Sequence, residues 1–158
     1  MRLIAVKDYD ICNYKKPSMF LIFPYCNFKC DSEFGTQICQ NWSLILTPSF
    51  DITPKEIYTN YYLNSPFTHA IVCGGLEPLD SFEELIDFID FFRRNTTDDI
   101  VIYTGYNKSE IPEKLERLKQ YPNILMKFGR FIPDQDPHFD EVLGVNLASP
   151  NQYAEWIS

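Results

Sequence analysis

Four short apolar runs, separated by helix-forming sequence, constrain this chain more than any other feature. They are "SMFLIFPY" at 18–25, "THAIVC" at 68–73, "DIVIYTG" at 99–105 and "NILMKFG" at 123–129. Nearly unbroken hydrophobic runs of this length are the pattern of strands covered on both faces, as in a parallel sheet. The segments between them carry helix signals. "TPKE" at 53–56 supplies Thr53 as N-cap, Pro54 at the first helical position and Glu56 to close a capping box, which predicts a helix to about Asn64. Ser81 and Glu84 form a second box ahead of "FEELIDFIDFFRR", where Phe82, Leu85, Ile86, Ile89 and Phe92 fall on one stripe and the acidic residues on a solvated outer face. "SEIPEKLERLKQ" predicts a third helix with Ile111, Leu115 and Leu118 turned inward.

Strands joined by helices make βαβ units with right-handed crossovers. The fold class expected is α/β: a single domain over 1–158, its motif-bearing core at about 19–152, built as a partial βα barrel of parallel strands with flanking helices. Four strands are too few to close the eight-stranded barrel. Ligands of such folds sit where the strands end. Four loops therefore converge: the one after residue 25, Gly74-Gly75, Thr104-Gly105 and Gly129-Arg130.

Fourteen Lys and Arg against 22 Asp and Glu give a net charge of −8, which argues against nucleic acid or an anionic membrane as partner. No apolar run reaches the roughly 18 residues of a membrane span, and "MRLIAVKDYD" has no secretory h-region. With five cysteines, an odd number, the expected setting is cytoplasmic and reducing.

Three of those cysteines crowd into "CNFKCDSEFGTQIC" at 26–39. A disulfide would leave one over, and structural zinc takes four ligands, which would require Cys12 or Cys73. Three thiolates suit a metal centre with one position open, such as an iron–sulfur cluster short of its fourth cysteine. "GGLEP" at 74–78 is either an ordinary tight turn or a backbone held open for a ligand's ammonium group. Cys73 reads as a small buried strand residue, Cys12 as incidental, and His69 and His138 as structural.

Taken in order, the cysteine loop, "GGLEP", "VIYTGY" at 101–106, and "KFGRFIPD" at 127–134 followed by "LASPNQ" at 147–152 resemble the radical S-adenosylmethionine superfamily. Within it, the chain is most similar to the small activating proteins of anaerobic ribonucleotide reductase. "CQN" at 39–41 resembles that family's last cysteine and the asparagine after it. The resemblance implies that Cys26, Cys30 and Cys39 hold a [4Fe-4S] cluster whose open iron takes the amino and carboxylate groups of S-adenosylmethionine. It implies that Gly74, Gly75 and Glu77 receive the amino group. Thr104, Gly105, and Asn146 and Ser149 within the stretch ending at Gln152, would lie along ribose and adenine.

The implied activity is an oxidoreductase that cleaves S-adenosylmethionine reductively to a 5′-deoxyadenosyl radical. The radical would then place a glycyl radical on anaerobic ribonucleotide reductase or another glycyl-radical protein. The implied electron donor is a flavodoxin or ferredoxin. Two alternatives remain at this point: a radical enzyme on a small molecule of the deazapurine type, and a non-catalytic cluster- or zinc-binding interaction module. The spacing here is C-x3-C-x8-C where the family has C-x3-C-x2-C. Ile38 stands where an aromatic residue is usual, and Leu76 is inserted into the glycine motif.

Overall fold

A computed structural model describes all 158 residues as an α/β domain. The four expected strands form where the apolar runs lie: β3 (Ser18–Phe23), β5 (Ala70–Gly75), β6 (Asp99–Tyr103) and β7 (Ile124–Phe128). They pair in parallel in chain order. The sheet is wider than expected and mixed in direction. β2 (Ala5–Asp10) lies antiparallel beside β3, and β10 (Tyr153–Trp156) antiparallel beside β7. The order is β2–β3–β5–β6–β7–β10, so the sheet ends in two edges, and β1 (Arg2–Leu3) pairs antiparallel with β4 (Phe50–Asp51) apart from it. Both added strands are half polar, which suits an edge with one partner and sets them apart from the apolar runs.

Alternation along the four parallel strands assigns their two faces. Met19, Leu21, Phe23, Ile71, Cys73, Ile100, Ile102, Met126 and Phe128 point to one side, and all three main helices cover that side. These are α2 (Pro54–Ile57), α3 (Phe82–Arg93) and α4 (Pro112–Leu118). Ile57, Leu85, Phe88, Ile89, Phe92, Ile111, Leu115 and Leu118 meet the strands there as one core. The Thr53 box forms as expected, with its hydroxyl accepting from the Glu56 N–H at 3.2 Å. α2 then widens into a π turn over Tyr58–Tyr62, which sets both tyrosines edge-on against Phe92.

The second box does not form. Pro78–Ser81 is a 3₁₀ turn capped by Glu77, Ser81 Oγ is buried without a partner, and Glu84 accepts from the Arg2 N–H instead. The third helix begins with a box made by Asn107 and Glu110, a single 3₁₀ turn before α4.

The opposite face carries Phe20, Ile22, Val72, Gly74, Val101, Tyr103, Leu125 and Lys127, and no helix packs on it. After β7 the chain folds back across part of it as a hairpin of β8 (His138–Asp140) and β9 (Val145–Leu147). Leu143 and Leu147 bury there with Tyr14, Val72, Val101 and Leu125. Asp140 fixes this hairpin, accepting from the Leu143 and Ala154 N–H groups. This hairpin supplies one wall of the site, through Val145, Asn146 and Leu147. No helix is long and apolar enough to cross a membrane.

Candidate metal centre

The uncovered remainder of that face is a cleft of about 370 Å³ at the C-terminal ends of the parallel strands. Cys26, Cys30 and Cys39 line it together with Gly74, Gly75, Glu77, Thr104, Gly105 and Asn146. Ser149 does not reach it. It is fully buried behind the cleft, where its hydroxyl accepts from the Ile132 N–H and its own N–H bonds Gln152. Gln152 also donates to the Gly129 carbonyl, so "SPNQ" is a turn that ties the chain to the end of β7.

The cysteine segment is held by polar contacts, since no residue from 24 to 51 is buried. Cys30 lies in a short helix, α1 (Lys29–Phe34), entered through Phe28 at φ 52° and left through Gly35 at φ 68°. The long step to Cys39 is drawn in by Asp31. Its carboxylate accepts from the N–H groups of Ile38 and Cys39, both at 2.9 Å, and from the Trp42 indole at 2.5 Å. Trp42 in turn packs on Phe28, 5.2 Å between ring centres. Asn41 donates to the Gly75 carbonyl at 2.9 Å and so pins the loop to the glycine turn.

A backbone N–H is aimed at one of the thiols, Phe28 at Cys26, with N to Sγ 3.3 Å. Such donors stabilise thiolate and tune clusters bound to it. Without metal, burial pushes the Cys26 thiol up to about 12 and raises Cys30 and Cys39, so metal must displace protons on entry. The sulfurs are spread around the cleft rather than aimed at one point; no three His, Cys, Asp or Glu side chains are placed to share a single ion. A four-iron cluster takes each thiolate on a separate iron and so asks for spread thiols. The donor set fits such a cluster.

The two remaining cysteines separate. Cys73 is fully buried on the helix-covered face, with the sheet between it and the cleft. Cys12, expected to be incidental, is exposed and lines the cleft. His69 is exposed, and His138 is half-buried on the hairpin, away from the cleft lining.

The glycine turn is partly structural. Gly75 has φ 98°, and a Cβ there would lie 2.6 Å from Ile22 Cγ2 and 3.0 Å from the Phe23 nitrogen, so the sheet itself demands glycine. Gly74 faces the cleft, where a Cβ would press on the Phe20 ring at 2.8 Å. The inserted Leu76 simply carries the ladder on: its N–H bonds the Phe23 carbonyl, and the Glu77 N–H bonds that of Tyr25.

Glu77 is buried and accepts from the Leu79 and Gly105 N–H groups at 3.1 and 2.8 Å. Burial raises its carboxyl to about 7 despite those bonds. Thr104 is buried beside it, its hydroxyl accepting from the Tyr106 N–H. Sequence reasoning missed Lys127. Its ammonium is buried on the cleft floor with one partner, the Gly129 carbonyl at 2.8 Å, and burial lowers it to about 8. The signal was a lone Lys in an apolar run whose neighbours alternate between two covered faces.

An α/β sheet that gathers three thiols around one cleft at its strand ends is the frame of an iron–sulfur protein. A family model for the 4Fe-4S single cluster domain matches residues 18–145. The chain belongs to that family, and iron–sulfur binding follows from it. No curated protein and no solved structure matches the chain significantly.

Proposed function

We propose that this chain is a radical S-adenosylmethionine activating enzyme, an oxidoreductase that places a glycyl radical on anaerobic ribonucleotide reductase or another glycyl-radical protein. A flavodoxin or ferredoxin serves as electron donor, and the setting is cytoplasmic and anaerobic. The observation that carries the reading is the single cleft lined both by Cys26, Cys30 and Cys39 and by Gly74, Gly75, Glu77, Thr104, Gly105 and Asn146. The sequential order of β3, β5, β6 and β7 is what a partial βα barrel would have.

When bound, the cluster supplies the electron that breaks a C–S bond of the sulfonium; the protein positions the partners and excludes water. Lys127 and Glu77 are the charged side chains of the cleft lining. A zwitterionic amino-acid head group suits that pair. Lys127, with the N–H groups that Gly129 leaves free, would hold its carboxylate, and Glu77 with the glycine turn would receive its ammonium. Thr104, Gly105 and Asn146, which line the same cleft, would flank the nucleoside. Asn41 sets the angle between the cysteine loop and the turn.

The test is to mix reduced, reconstituted protein with S-adenosylmethionine and a candidate reductase. 5′-Deoxyadenosine and a glycyl-radical resonance signal are the expected products. Deoxyadenosine formed stoichiometrically with a small metabolite and no protein partner would move the substrate to the deazapurine class. A loaded cluster that gives no deoxyadenosine under any condition would leave a non-catalytic module.

A further inference from the structure

Arg130 follows β7 directly and is a buried cation, its side chain only 9% exposed. Two carboxylates from separate elements grip it. Glu110 takes both terminal nitrogens, at 2.8 and 2.6 Å, and Glu33 of α1 lies 3.4 Å from Nε. Lys29, the residue before Cys30, also bonds Glu110. Two cations and two anions thus make a closed array of zero formal charge.

The array is not symmetric about the thiol it adjoins. A Cβ built on Gly105 would sit 3.6 Å from Arg130 Cγ and 3.9 Å from Cys30 Sγ, so both side chains pack against one glycine. Arg130, Lys29, Cys26, Cys30, Gly105 and Glu77 line one small recess beside the main cleft, whereas Glu33 and Glu110 do not. The arginine therefore fronts the thiol, and its carboxylates stand behind.

We propose that Arg130, oriented by Glu110, sets the reduction potential of the cluster from the Cys30 corner. Reduction adds one negative charge, which a fixed cation close by favours by Coulomb's law in a partly dry site. Net charge and hydrogen bonds to sulfur are the terms through which a protein moves such potentials. The two carboxylates keep the guanidinium oriented and limit its effect. Removing the cation and removing the anion must therefore move the potential in opposite directions, which a merely structural role would not do. The inference rests on Cys30 as a cluster ligand and is independent of the S-adenosylmethionine chemistry.

The experiment is an anaerobic redox titration of reconstituted full-length protein, wild type beside Arg130→Met, Arg130→Lys and Glu110→Gln, with iron counted in each. Arg130→Met is expected to lower the midpoint enough to change the reduced-to-oxidised ratio at fixed potential about tenfold, which is about 59 mV for one electron. Arg130→Lys should recover most of that shift, and Glu110→Gln should raise the midpoint. If Arg130→Met does not fold, the other two variants still decide. Unchanged midpoints, or shifts of the same sign in Glu110→Gln and the Arg130 variants, would overturn the proposal. Full iron in Cys30→Ala would remove its premise. Absence of deoxyadenosine with opposite midpoint shifts intact would count against the enzyme reading alone.

Discussion

Replacing Asp31 with alanine should open the cysteine loop without unfolding the domain. Asp31 makes three hydrogen bonds across the step between the second and third cysteines, to Ile38, Cys39 and Trp42. Bonds to a charged acceptor contribute roughly 1.5–3 kcal/mol each when well shielded. Asp31 is only half-buried, so about 1 kcal/mol each, or about 3 kcal/mol together, is the reasonable scale. Against this stands the entropy of the longer step. Going from about three to about nine residues costs (3/2)RT ln 3, about 1 kcal/mol. The carboxylate thus outweighs the cost of the longer loop by about 2 kcal/mol, and losing its about 3 kcal/mol should lower the closed-to-open ratio on the order of a hundredfold.

Since residues 24–51 contribute nothing buried to the core, the thermal midpoint should barely move. Iron bound after anaerobic reconstitution should fall well below wild type, because Cys39 is no longer held facing Cys26 and Cys30. Asp31→Asn should be intermediate, since its oxygen still accepts from the two backbone N–H groups while its amide nitrogen cannot accept from Trp42. Wild-type iron in Asp31→Ala would show that Phe28–Trp42 packing and Asn41 suffice to close the loop, and the reasoning would be wrong.

Other outcomes follow from the same geometry. Alanine at Cys26, Cys30 or Cys39 should abolish the brown absorbance of the reconstituted protein, whereas Cys73→Ala should keep its iron; a Cys73→Ala protein without iron would place the cluster elsewhere. Gly74→Ala should bind S-adenosylmethionine weakly by calorimetry with a modest stability loss, because the Phe20 ring has room to turn. Gly75→Ala should cost about 3 kcal/mol or more in urea unfolding, from a left-handed residue plus a contact with backbone; equal stability losses in the two would refute that division. The Glu77 carboxyl is raised to about 7 in the fold. Its charge is therefore a penalty that appears as pH rises from the unfolded value near ~4.3 through about 7, costing on the order of 3 kcal/mol. Unfolding of the cluster-free chain at pH 5 and pH 8 should show this loss, and Glu77→Gln should flatten it.

The central strands, the inward faces of α3 and α4, and the Thr53 cap could be read directly, because each is a local pattern of period or spacing. So could the three cysteines and the loops that meet them, since strand ends in a parallel sheet share one edge. What local pattern could not supply is which hydrogen bond a residue makes when several partners compete. Ser81 and Glu84 have the spacing of a box, yet Glu84 is taken by Arg2 and the turn is capped by Glu77. Gly75 looked like a ligand's glycine, and its neighbour on β3 requires it first. Ser149 has a place in the motif but lies behind the cleft wall.

The edge strands and the β8–β9 hairpin depend on contacts between residues far apart in sequence, with little apolar pattern of their own to announce them. The burial of two cations in and beside the cleft, Lys127 and Arg130, could not be read for a related reason. A basic residue reads as surface in a sequence. Only the packed sheet, by burying one on the cleft floor and fastening the other between two carboxylates, turns it into part of the site.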